Sequence, residues 1–202
     1  MESETKEFNK PGHFEVVAIA ASAGGLKAIS AVLKDLPAKL PLAVLIVQHL
    51  HPKFKSKMAE ILDRKTALRV KQAESGESIV ESQVFVAPSD YHFLISDKRT
   101  VSLSHSEQVH FLRPAADLLF ESISVHYKNR AIAVILTGTG SDGTQGAKAI
   151  KAAGGVVIAQ SESSCMHFGM PSSVIQAGCV DWILDLDKIG SKIVDLTKKE
   201  VS

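Results

Sequence analysis

Three short segments each place a chemically competent side chain directly behind an apolar run. Ser22 lies in "AIAASAGG" at the end of "FEVVAIAAS", His49 in "QHLHP" behind "LAVLIVQ", and Asp142 in "TGTGSDG" behind "AIAVILT". A hydroxyl, an imidazole and a carboxylate have complementary chemistry. A serine hydroxyl is a poor nucleophile until an imidazole takes its proton during attack. The imidazole in turn needs a carboxylate to fix its tautomer and stabilise its positive charge. The chain order Ser, His, Asp differs from the common hydrolase orders, but geometry rather than order defines this constellation. Ala20-Ala21-Ser22-Ala23-Gly24 also approximates a small-x-Ser-x-Gly elbow, in which small residues let a tight turn expose the hydroxyl. The helix start behind it offers N–H donors to a developing oxyanion. A plainer reading makes Ser22 the N-cap of the following helix, a position serine favours.

Such residues act together only if the elements beneath them bring them together. "FEVVAIAAS", residues 42–48 and residues 131–137 are continuous apolar runs of buried-strand length. Residues 25–35 carry a helical stripe at Leu26, Ile29, Val32 and Leu33, and residues 53–64 suggest a second helix. The middle of the chain reads as β: "ALRVKQA", "SQVFVAPS", then "YHFLIS" and "TVSLSH" flanking "DKR" as a hairpin. Arg113-Pro114 opens a helical pattern with Leu118, Leu119 and Ile123 on one face. A helix over about 143–153, the strand "GGVVIAQ", a helix near Pro171, the strand "VDWIL" and a last helix complete the chain. Apolar strands alternating with amphipathic helices predict an α/β fold, doubly wound, with a mainly parallel sheet, helices on both faces and an antiparallel edge hairpin. In such sheets ligands sit at the carboxyl ends of the strands, where Ser22, His49 and Asp142 fall.

The same glycine loop supports a rival. Gly138, Gly140 and Gly143 spell G-x-G-x-x-G between a strand and a helix, with Glu162 beyond the next strand. That is the context of a dinucleotide-binding, Rossmann-like module. Against it, Asp142 would put a carboxylate beside the pyrophosphate. Eight histidines invite a metal hypothesis, with His49 and His51 two apart, but no H-E-x-x-H or Cys/His ligand spacing is present. No metal site is expected. Cys165 reads as a small packed side chain, with nearby His167 keeping a thiol alternative open, and Met166 and Met170 read as packing.

Composition limits the remaining classes. The 202 residues suit one domain, 45% hydrophobic and 5% aromatic. Lys plus Arg (23) nearly balances Asp plus Glu (22), so nothing points to nucleic acid or an anionic membrane. Two cysteines without C-x-x-C spacing imply neither a disulfide framework nor a zinc knuckle. No apolar run reaches membrane-spanning length, and "MESETKEFNKPG" lacks the apolar segment of a signal peptide, which predicts a cytoplasmic protein. Residues 1–13 read as a flexible arm ahead of a domain spanning 14–202.

Six segments in order carry a wider pattern: "IAASAGGLKAI", "VLIVQHLHPKF", "VFVAPSDYHFLI", "FLRPAADLLFESI", "AVILTGTGSDGTQGAKAIKAAGG" and "SCMHFGMPSSVI". From Val16 to about Asp187 the chain resembles the catalytic domain of the chemotaxis protein-glutamate methylesterases. The resemblance implies a hydrolase of glutamyl methyl esters in the cytoplasmic regions of chemoreceptors, with receptor glutamine deamidation in some members and no cofactor. Carried across by motif, the catalytic serine falls on Ser22, the histidine on His49 and the aspartate on Asp142. Backbone N–H groups at Ala23 and Thr139 become the oxyanion candidates. Ala20 stands where the family usually has Gly, Ala23 where Thr is common and Thr139 where Met is common. Family members typically carry an N-terminal phosphoreceiver domain, whereas about fifteen residues precede the first strand here, so the expectation is either a stand-alone or excised catalytic domain or control by a separate regulatory domain or protein. A non-catalytic interaction domain is the remaining alternative, although a scaffold has no chemical need for the three residues.

Overall fold

The computed structural model describes residues 14–49 and 56–198; the expected N-terminal arm, His51 and the start of the expected second helix lie outside them. Two βα units and two further strands begin the main architecture. They run β1 (Val16–Ala21), α1 (Gly25–Lys34), β2 (Ala43–Gln48), α2 (Met58–Asp63), β3 (Arg69–Gln72) and then β4 (Gln83–Val86). A hairpin follows, β5 (His92–Ile95) and β6 (Val101–Ser104), and then α3 (Ala116–Tyr127). The second half runs β7 (Ala131–Ile135), α4 (Thr144–Ala152), β8 (Val156–Gln160), α5 (Gly169–Gln176), β9 (Trp182–Leu184) and α6 (Leu186–Thr197). Seven strands form one parallel sheet in the order β3-β4-β2-β1-β7-β8-β9.

The central strands are apolar along their whole length because the sheet is covered on both faces. Side chains alternate across a strand, and β1 shows it directly. Val16, Ala18 and Ala20 enter one core with α3, α4 and α5, including Phe120, Ile150 and Met170. Val17, Ile19 and Ala21 enter the other with α1, α2 and α6, including Ile29, Leu62 and Ile193. At about 25 cal/mol per Å² of apolar surface removed from water, these two cores are the main source of stability.

The hairpin pairs as expected, His92 opposite Ser104 through Ile95 opposite Val101, but it forms a two-stranded sheet of its own rather than extending an edge of the large one. The reason is its buried face. Phe93, Ile95 and Val101 join the core beneath α3, and Ser122 Oγ accepts the Ile95 N–H at 3.0 Å. Leu26, counted in the first helical stripe, is 38% exposed, while Ile29, Val32 and Leu33 are buried. Among the described residues, no helix is long and apolar enough to cross a membrane.

Candidate active site

The strand order makes β1 the switch point of the sheet. Its loop leads to α1 on one face, while the loop of the adjacent β7 leads to α4 on the other. A crevice opens where neighbouring loops diverge in this way. Ser22 follows β1, His49 follows β2 on one side, and Asp142 lies in the β7–α4 loop on the other. The ladders continue past the strands: His49 N–H donates to Ala21 O at 3.1 Å and Ser22 N–H to Thr137 O at 3.0 Å. Ala20 pairs with Val47 and both face the α3–α4 core, so two-residue alternation aims Ser22 and His49 toward that same face. Asp142 sits there too.

Asp142 is buried, and its carboxylate is gripped by four donors. His49 Nε2 meets Oδ2 at 2.6 Å, and the N–H groups of Ala116 (2.7 Å), Asp117 (3.0 Å) and Gly143 (3.0 Å) supply the rest. Ala116 and Asp117 open α3, so two donors that a helix start leaves without partners are satisfied by this carboxylate. Burial pushes the Asp142 carboxyl up, but the His49 hydrogen bond and the Ala116 and Asp117 N–H groups outweigh it and hold the carboxyl below its ordinary value. Asp117 returns the favour by accepting the Gly146 N–H of α4 at 2.9 Å. Its own carboxyl is pushed up, chiefly by burial and against the Gly146 hydrogen bond, with the nearby Asp142 charge adding to the rise.

The turn that bears Ser22 is shaped by close approach. Gly24, not Ser22, occupies the N-cap position of α1, at φ +80°, and no side chain caps the helix. The cap reading of Ser22 therefore fails: the turn needs left-handed backbone there, which glycine adopts without a Cβ clash. Gly138 leaves room for the serine. A Cβ at Gly138 would overlap Met170 Sδ and stand 2.8 Å from Ser22 Cβ. We expect Gly138→Ala to cost about 1–3 kcal/mol through overpacking and to slow turnover about 100-fold by shifting Ser22. Chemical denaturation and steady-state kinetics check the two effects separately.

The remaining sequence candidates fall out as follows. Thr139 lies on the β7–α4 loop and Ala23 directly follows Ser22, so both backbones line the crevice end of the sheet. In the Gly138–Gly143 loop the Asp142 carboxylate turns inward to α3 and His49. Burial, with Glu162 nearby, pushes the Cys165 thiol up to about 11, which removes the thiolate that the thiol alternative required. Met170 is buried as expected. Met166 is not: it is 64% exposed and lies against the Gly24 turn, where a glycine Cβ would meet its Cβ at 3.1 Å. Among the described residues, no group of three or more His, Cys, Asp or Glu could hold a metal ion.

Two further residues, Thr137 and Gln48, hold the Ser22 turn. Thr137 Oγ1 accepts the His167 N–H at 2.9 Å and lies 3.0 Å from Ala23 O, tying the Ser22 turn to the segment before α5. Gln48 reaches the same turn from β2. Both are polar residues at strand ends, a weak signal beside a serine or a histidine.

Fold and site together define a doubly wound α/β domain with a hydroxyl, an imidazole and a bound carboxylate at its switch point. The family model for CheB methylesterase matches residues 17–193, and the chain belongs to that family. A Methanosarcina mazei relative, "Protein-glutamate methylesterase/protein-glutamine glutaminase 2", is 41% identical over 190 residues, covering 91% of this chain and 52% of its own. A Leptospira interrogans relative is 38% identical over 189 residues, covering 94% of this chain and 98% of its own. The crystal structure of the Thermotoga maritima CheB methylesterase catalytic domain superposes with a TM-score of 0.88 at 38% identity, covering 91% of this chain and 98% of that one. The chain spans about half the length of several curated relatives it matches, including those of Methanosarcina mazei, Methanosarcina acetivorans and Thermotoga maritima. These matches favour the hydrolase over the dinucleotide-binding alternative.

Proposed function

We propose that the chain is a serine hydrolase that removes methyl esters from glutamyl side chains of chemoreceptors, acting on their cytoplasmic regions. The observation that carries this reading is the 2.6 Å hydrogen bond between His49 and a buried Asp142, beside the turn that bears Ser22. Family membership supplies the substrate class.

Asp142 accepts from Nε2, so the ring nitrogen left with a lone pair is Nδ1. In this mechanism Nδ1 takes the Ser22 proton as Oγ attacks the ester carbonyl carbon. Ser22 N–H is already engaged with Thr137 O, so oxyanion stabilisation passes to the N–H groups of Ala23 and Thr139. One such donor contributes about 3 kcal/mol. The tetrahedral intermediate collapses, the C–O bond to methoxide breaks, and His49 delivers the proton that makes methanol. Water then attacks the acyl-enzyme with His49 as base, releasing the glutamate carboxylate and restoring Ser22. Asp142 stabilises the imidazolium in both halves. The same steps with ammonia as leaving group would deamidate glutamine, the second activity in the relatives' names. A separate domain or protein is the proposed regulator.

The test is methanol release from a methylated receptor cytoplasmic fragment. Release above the uncatalysed background is expected, and its absence with correctly folded protein would overturn the reading.

A further inference from the structure

Gln48 closes β2, pairs with Ala21 and therefore points away from the Ser22–His49–Asp142 face, into the space beneath the start of α1. It is 7% exposed. Its amide Nε2 donates to Ser22 O at 2.7 Å and to His49 O at 3.0 Å. One NH₂ group thus holds the backbone of the residue bearing the hydroxyl and of the residue bearing the imidazole. The other end of the amide is the informative one. Oε1 is buried without a hydrogen-bond partner and rests against Gly25, where a Cβ would collide with it. A buried acceptor left unmatched is a cost that native folds seldom carry without return. Here the orientation is forced, because two carbonyl oxygens face this position and only a double donor serves both.

We propose that Gln48 is a positioning residue for the hydrolysis, setting the separation of the Ser22 and His49 backbones through its two donated hydrogen bonds. The inference rests on the esterase reading for its kinetic readout, but not for its geometry. Glutamate, almost the same shape, sets an acceptor against two acceptors. When protonated, it regains a single O–H donor.

Gln48→Glu is therefore expected to lower kcat about 100-fold near pH 8, with KM within about 3-fold of wild type. The deficit relative to wild type at the same pH shrinks toward pH 5.5, as the introduced carboxyl takes up a proton. Gln48→Met, which fills similar volume without charge, carries a deficit that does not vary with pH and keeps the test open should the glutamate variant fail to fold. A merely structural role would lower the melting midpoint without giving the glutamate variant this pH signature. Reaction of Ser22 with diisopropyl fluorophosphate provides a readout free of any ester substrate, and it should slow in both variants. Folded variants with wild-type kcat and labelling rate would overturn the inference. If wild type releases no methanol while labelling still slows in the variants, the esterase reading falls and the positioning role stands.

Discussion

Ser22→Ala is expected to reduce methanol release by about 10⁴- to 10⁶-fold, because in the proposed mechanism Ser22 is the nucleophile and its loss removes the covalent route. The fold should survive. Ser22 bonds its surroundings through its backbone: N–H to Thr137 O, and O to Gln48 Nε2 and Gly25 N–H, all retained by alanine. It caps no helix, so no capping energy is lost. The melting midpoint should stay within about 2–4 °C of wild type, the shift that 1 kcal/mol causes in a chain of this size. Calorimetry and the methanol assay on one preparation separate chemistry from folding. A folded alanine variant that still turns over at the wild-type rate removes Ser22 from the mechanism.

Asp142→Asn should be nearly as damaging to turnover, by about 10⁴-fold, for a reason visible in the four donors around the carboxylate. Oδ2 serves Ala116 and His49, while Oδ1 serves Asp117 and Gly143. An amide has a single oxygen. If its NH₂ faces His49, the ring must carry its proton on Nδ1 and can no longer accept one from Ser22. If its NH₂ faces Asp117 and Gly143, donors oppose donors and the N–H groups of Asp117 and Gly143 lose their acceptor, at about 1–3 kcal/mol.

The pH dependence follows from the direction of the Asp142 shift. A carboxyl held below its ordinary value of 3.8 in the fold contributes stability above that value, and the contribution is lost as pH falls through the lower folded value. Wild type should exceed Asp142→Asn in melting midpoint most at neutral pH, with the gap narrowing below about pH 4. A gap constant from pH 7 to pH 3 would show that the ionised carboxylate contributes nothing to the fold.

Much of this was legible in residue order. Hydrophobic period located the buried strands, and the strand-end rule selected Ser22, His49 and Asp142 before any pairing was known. Period also marked the hairpin. Local pattern reports which side of a residue is buried, because burial leaves its trace in side-chain polarity. Pattern is silent on which strands become neighbours. Placing β1 between β2 and β7 is what brings positions 49 and 142, 93 residues apart, within 2.6 Å, and that order follows from how two helical layers share one sheet. Nor could it show that α3 would anchor Asp142, since the donors are backbone N–H groups that every residue but proline carries. The inward hairpin, the exposed Met166 and the two-carbonyl grip of Gln48 belong to the same class. Each depends on what the folded chain sets opposite a residue, which the residue's own chemistry does not encode.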